Sequence, residues 1–223
     1  GRDAGIPVVL THHKVVGKPM WGRSATTLAM VDSARAAGVD VMIDQYPYTA
    51  TYTGIGVLMP AWAMADGDSA FERRLGEPAT RDSIVKEIVF NILNDRGGGD
   101  LRRVQLARVP WQPALEGRTL HDWAVERGLP PTPETGAELV IEAVRRGSVS
   151  AIYHVLDERD VDRILRHPQA MVASDGRLTQ PGEGAADGPT QIGLLALHVV
   201  DRVGRQGAGG RPAASRTIVC SDW

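Results

Sequence analysis

Two imidazoles and an amine stand side by side at His12-His13-Lys14, directly after the apolar run Ile6-Pro7-Val8-Val9-Leu10. Such groups bind a metal ion, polarise a carbonyl or hold a carboxylate. The run before them suits a buried strand that would deliver them at its C-terminal tip, where α/β barrels keep their chemistry. His12 reads either as a ligand at that tip or as a packed, hydrogen-bonded histidine. Strand alternation sends His13 to the opposite side and returns Lys14 to the side of His12, where it either holds a substrate oxygen or stands solvated. A second candidate is Asp175, which follows Met171-Val172-Ala173-Ser174 and precedes Gly176. Asp-Gly is a common turn, yet a carboxylate brought to the same end of a parallel sheet as His12 is also a general base for hydrolysis. Tyr46 and Tyr48 flank Pro47, which ends a strand, and they either face substrate or pack their loop. One His and one Asp do not complete a metal site, which needs roughly three or four protein ligands. His121 and His167 read as exposed helical positions, His198 falls in an irregular stretch, and His154 sits on an expected strand. Phosphate-binding glycine loops, Gly-x-Ser-x-Gly elbows and His-Glu-x-x-His helices are absent from the sequence.

The elements that must position these groups begin with a strand over 6–10 and a Gly/Pro-containing loop to Arg23. Ser24 then reads as the N-cap of a helix over 25–37, with Leu28, Val31 and Ala34 on one side and Gly38 as its stop. A strand over 39–44 completes a βα repeat, and hence a parallel sheet with right-handed crossovers. The rhythm then breaks. Helices over 80–94, 119–127 and 134–146, a glycine turn at Gly97-Gly98-Gly99 that reads as flexible, and a strand over 104–109 read as an insertion. Trp62 and Trp111 belong to it as core or lid residues. The βα rhythm returns with a strand over 149–155, a helix N-capped by Asp157 and a short strand over 170–174.

The chain has 223 residues, 43% apolar and 23% charged, which allows one sizeable core. Its apolar runs are far shorter than the roughly 20 residues of a membrane span. Lys plus Arg is 25 against 27 for Asp plus Glu, and a net charge of −2 gives no electrostatic reason to expect a nucleic-acid partner. The single cysteine, Cys220, rules out an internal disulfide framework and a Cys-rich zinc site. A cytoplasmic location is expected. The opening Gly1-Arg2-Asp3-Ala4-Gly5 reads as the end of a helix, so the sequence is expected to begin inside a larger protein.

Five segments occur in order: Pro7-Val8-Val9-Leu10-Thr11-His12-His13-Lys14, Trp21-Gly22-Arg23-Ser24, Asp44-Gln45-Tyr46-Pro47-Tyr48-Thr49-Ala50, Asp157-Glu158-Arg159-Asp160-Val161 and Ser174-Asp175-Gly176. Together they resemble the N-acyl-D-amino acid deacylases (D-aminoacylases) of the amidohydrolase superfamily over roughly residues 1–184. The resemblance implies an α/β fold, part of a zinc-dependent (β/α)8 TIM-type barrel with a mostly helical insertion at about 55–147. It implies hydrolysis of the linear amide of N-acyl-D-amino acids to a carboxylate and a D-amino acid. Carried over residue by residue, His12 is a zinc ligand, with Thr11 where the family has Ser. Lys14 and Tyr46 contact substrate. Asp175 is the catalytic aspartate, taking a proton from metal-activated water and passing it to the leaving amine.

The resemblance also implies what this segment lacks. The family draws its other metal ligands, a His-x-His pair, a bridging Cys and a further His, from strands that precede this stretch. The chain is therefore expected to be the C-terminal part of a barrel, to need the N-terminal part, and to be inactive alone. The family's His-Pro-Arg and Tyr-Gly-Thr-Phe patterns are missing after Gly184, so 185–223 is expected to be a divergent, disordered tail, which a reading-frame change near Gly184 would explain. Tyr52 stands where many relatives carry a small hydroxyl residue. The competing expectation is a truncated or frameshifted relative with no enzymatic role.

Overall fold

The computed structural model describes residues 1–173 and the strand 218–219. Asp175, His198 and the expected tail, apart from that strand, lie outside the described residues. In chain order the elements are β1 (Val8–Leu10), α1 (Ser24–Ala36), β2 (Val41–Gln45), β3 (Thr51–Gly54), α2 (Ala61–Met64), α3 (Asp68–Gly76), α4 (Pro78–Asn94), β4 (Val104–Arg108), α5 (Leu120–Glu126), α6 (Pro133–Arg146), β5 (Ser150–Tyr153), α7 (Glu158–Leu165), β6 (Ala170–Ala173) and β7 (Ile218–Val219). They fall into two compact units. The first takes Gly1–Val15, Met20–Thr49 and Leu156–Trp223, and the second takes Val16–Pro19 and Ala50–Val155.

The first unit is an α/β unit on a four-stranded sheet in the order β1-β2-β6-β7, with every pair parallel. Parallel neighbours need crossovers, and α1 makes the one from β1 to β2. Leu28, Val31 and Ala34 recur at helical spacing on α1 and pack on Val41, Ile43, Ile164 and Ala170. Each of the buried Leu, Val and Ile chains among these contributes roughly 2 kcal/mol. Among the described residues the sheet is open; closure into a barrel is not part of it.

Two expectations for this unit are corrected. The buried strand over 6–10 is only the three residues of β1, with Ile6 58%, Val9 50% and Leu10 38% exposed. Its position explains this: among the described residues β1 is the edge of the sheet, bonded to β2 on one side only. Ser24 is not the N-cap of α1 but its first helical residue; the cap position is Arg23, which makes no side-chain cap bond. The cap arrives from a distance. Asp160 of α7 accepts from the Gly22 N–H at 2.6 Å, the Ser24 N–H at 3.2 Å and the Ser24 hydroxyl. Asp157, by contrast, caps α7 as expected, accepting from the Arg159 N–H at 2.9 Å.

The second unit joins a three-stranded antiparallel sheet, order β3-β5-β4, to helices α2–α6. The strand expected over 149–155 as a return of the barrel rhythm is β5, and it is antiparallel to both its neighbours, Thr51 facing Tyr153 and Val104 facing Tyr153. Alternate burial of Ala151 and Tyr153 satisfies period two in either kind of sheet, so the pattern alone did not name the partners. The core includes Ile84, Ile88 and Ile92 of α4, Trp123 of α5, Val140 of α6 and Leu106 of β4, all essentially without exposure. Thr119 and Asp122 form a reciprocal capping box at the start of α5. Gly97-Gly98-Gly99 is a bonded helix end rather than a flexible turn: the Gly97 N–H reaches the Asn91 carbonyl at 3.1 Å and the Gly99 N–H the Ile92 carbonyl at 2.9 Å. At Gly97 a Cβ would lie 2.3 Å from the Ile92 backbone, so only glycine fits. Among the described residues no helix is long and apolar enough to cross a membrane.

Candidate active site

β1 ends at Leu10, and the chain turns rather than extends through Thr11 and His12. His12 has φ of 55°, a left-handed conformation that costs a residue with a Cβ roughly 1 kcal/mol. The turn is held by β2. The His12 N–H donates to the Asp44 carboxylate at 2.8 Å, and the His13 N–H donates to the Asp44 carbonyl at 2.8 Å. Lys14 then folds back so that its ammonium donates to the His12 carbonyl at 3.0 Å. The same ammonium lies 5.3 Å from the centre of the Tyr46 ring, within cation–π range. The His12 ring packs tilted against Tyr46 at 5.9 Å, and Tyr48 stacks on Tyr46 at 5.7 Å. Tyr46 is 3% exposed. The structure thus brings His12, Lys14 and Tyr46 together at the C-terminal ends of two adjacent parallel strands.

His13 departs toward α1, where its Nε2 meets the Thr27 hydroxyl at 3.0 Å. Burial, helped by the charges of His167 and Lys14, lowers its pKa and favours the neutral ring. The separation of His13 from its neighbours comes from the turn at His12, not from the strand alternation that the sequence suggested. Asp44 stands in one of the five segments quoted above, yet sequence reasoning gave it no role, because an acid at the end of an apolar strand carries no pattern of its own. It likewise gave no role to Asp160, whose contacts fix the Gly22–Ser24 end of the loop that follows Lys14. Arg163 completes that cluster, donating to Asp160 at 3.1 Å and to the Ser24 hydroxyl at 2.6 Å.

The other candidates lie elsewhere. Asp175 follows β6 by two residues and is outside the described residues; β6 itself runs parallel to β2, so its C-terminal end shares the edge carrying Tyr46. His154 belongs to the second unit, where its Nε2 pairs with Gln105 at 3.2 Å and burial, then the Arg103 charge, lowers its pKa. The two histidines read as exposed have partners: His167 meets Asp32 at 3.1 Å and His121 meets Arg102 at 2.7 Å. Tyr52 bonds Ser150 through its hydroxyl at 2.9 Å. Trp62 is 40% exposed and donates to Glu87, while Trp111 lies beneath Arg146 at 4.6 Å. A cleft of about 890 Å³ in the second unit is lined by Glu72, Arg81, Arg127, Glu138, Glu142 and Arg145, whose charges are paired with one another. It holds none of the expected site residues. Among the described residues no three His, Cys, Asp or Glu side chains converge, so these residues do not fit a complete zinc site.

Comparison with known proteins then bears on this cluster. Over 179 residues, 79% of the chain, it is 32% identical to an N-acyl-D-glutamate deacylase of Alcaligenes xylosoxydans xylosoxydans, and over 176 residues it is 32% identical to a D-aminoacylase of the same organism. This chain is a homologue of the N-acyl-D-amino acid deacylases. It spans about a quarter of the length of these curated relatives, 27% of each. A crystal structure of a D-aminoacylase, described as defining a novel subset of amidohydrolases, superposes on 77% of the chain with a TM-score of 0.51 at 30% identity, covering 26% of that structure. No family model matches. The deacylase homology agrees with the α/β class of the first unit.

Proposed function

We propose that this chain is the C-terminal portion of a cytoplasmic, zinc-dependent deacylase barrel that cleaves the linear amide of N-acyl-D-amino acids. The single observation that carries the reading is the packing of the Lys14 ammonium and the His12 ring on Tyr46 at one sheet edge, in a chain homologous to deacylases. An ammonium tied down at the rim of a parallel sheet suits the carboxylate that every N-acyl amino acid carries. Tyr46 holds that ammonium from its ring face and forms the pocket wall. In the same reading His12 is one metal ligand, and the remaining ligands come from an N-terminal portion of the barrel. Asp175 is the general base: it takes a proton as water adds to the acyl carbonyl, and returns it to nitrogen as the C–N bond breaks. With those ligands supplied from another part of the barrel, the chain alone turns over nothing.

The experiment is a chimera in which this chain replaces the matching segment of the D-aminoacylase relative, assayed for D-amino acid release from N-acetyl-D-leucine and N-acetyl-D-glutamate. Turnover by the chimera, abolished by Asp175→Ala and absent from the isolated chain with added zinc, is the expected result. Hydrolysis by the isolated chain would refute its inactivity. A folded but inert chimera would favour the competing reading, a truncated or frameshifted relative with no enzymatic role.

A further inference from the structure

Asp44 has no role in the chemistry above, yet it is bonded to the cluster at two points. Its side chain is nearly buried, and one carboxylate oxygen accepts the His12 N–H at 2.8 Å while its carbonyl accepts the His13 N–H. In the β1–β2 register Leu10 faces Ile43, so Asp44 falls where the ladder would continue. A side-chain oxygen takes the amide instead, and the chain turns away. His12 is the one non-glycine residue of the first unit, among the described residues, with a positive φ. That conformation also sets where the His12 carbonyl points, and this carbonyl receives the Lys14 ammonium at 3.0 Å.

We propose that Asp44 is the positioning residue of this site: by accepting the His12 N–H it holds the left-handed turn that lays both the His12 ring and the Lys14 ammonium against Tyr46. The inference rests on the reading of His12 and Lys14 as site residues only for its functional meaning; the geometry itself is tested without substrate or metal. A carboxylate suits the task because its charge-assisted bond to an amide is stronger than a neutral one. A β2 residue without an acceptor would leave the His12 amide to seek the ladder, and the extended conformation would carry the ring and the ammonium away from Tyr46.

The test uses the full 223-residue chain, isotopically labelled, with NMR of the His12 ring and the Lys14 side-chain methylene beside its nitrogen. Both lie against an aromatic ring and carry its ring-current shift, which Tyr46→Leu calibrates by removing it. Asp44→Ala is expected to lose that shift at both residues together, toward the Tyr46→Leu values, while the Trp123 indole signal of the second unit stays in place. Asp44→Asn, which keeps an acceptor oxygen, is expected to restore it. Native His12 and Lys14 shifts in Asp44→Ala would overturn the proposal, as would an Asp44→Asn protein that behaves like the alanine variant. If the alanine variant fails to fold its first unit, the asparagine variant decides by the same criterion. An inert chimera would sink the deacylase reading and leave this result untouched.

Discussion

The two units bury their chains in different ways. In the second, Ile84, Ile88, Ile92, Leu120, Trp123, Val140 and Tyr153 are essentially free of solvent, and ion pairs such as Arg127–Glu142 and Arg145–Glu72 lie over the helices. The first, among the described residues, has an aliphatic core around Leu28, Val31, Val41, Ile43 and Ile164 and an edge strand whose Val9 and Leu10 face solvent. Its shape is kept by carboxylates: Asp160 binds the start of α1, and Asp44 binds the turn after β1. Among the described residues, the first unit adds to its apolar packing a few polar contacts, each with several dependents. The candidate chemistry sits in that unit, where a single side chain can re-aim several groups.

Perturbations that act on one mode and spare the other sharpen this contrast. Trp123→Ala opens the second core and should destabilise it by about 4 kcal/mol, read by amide hydrogen exchange in α4 with α1 as the internal control. Asp160→Ala strands the Gly22 and Ser24 donors and should cost the first unit roughly 3 kcal/mol; α1 exchange accelerates while α4 does not. Equal loss of protection in both helices would show that the units unfold as one.

Acid should act on the second unit through His154. Burial and Arg103 hold its folded pKa below the ordinary 6.5, so the unfolded chain binds the proton more readily. That stability is full above pH 6.5 and declines as pH falls from 6.5 toward the folded value. His154→Gln should flatten this part of the pH profile in thermal melts. Arg127→Ala should cost under about 1 kcal/mol, and less still in high salt, because its partner Glu142 is also reached by Arg146. Val9→Lys should leave stability nearly unchanged, since Val9 is half exposed, while light scattering shows less self-association through the open strand edge.

Much of this was legible in the residues and some could not be. Leu28 and Val31 at helical spacing foretold the buried face of α1, Asp157 its own capping role, and the helix expected over 80–94 is α4. The exposure of β1 was not legible: Val-Val-Leu reads as interior, and only sheet order shows that it lies at an edge. Ser24 looked like a cap because its type is right for one; the oxygen that does the capping comes from Asp160, 136 positions away. For β5, alternation fixed which side chains turn inward and was silent on the direction of the neighbours. At the candidate site, Lys14 and Tyr46 were each singled out but not their packing on one another, and the left-handed turn at His12 was not legible, because no glycine marks it. Asp175 falls outside the described residues, so this part of the reading rests on sequence alone.

The long reach of Asp160 also bears on how the chain acquires its shape during synthesis. Ser24 leaves the ribosome well before Asp160 does, and all of Ala50–Val155 is made in between. The nearly contiguous second unit can complete its core as soon as it emerges. Helix α1 must wait, its leading amides bonded to water, until α7 is released and the ends of a very long loop close. The start of α1 is thus made before the second unit and fastened only after it.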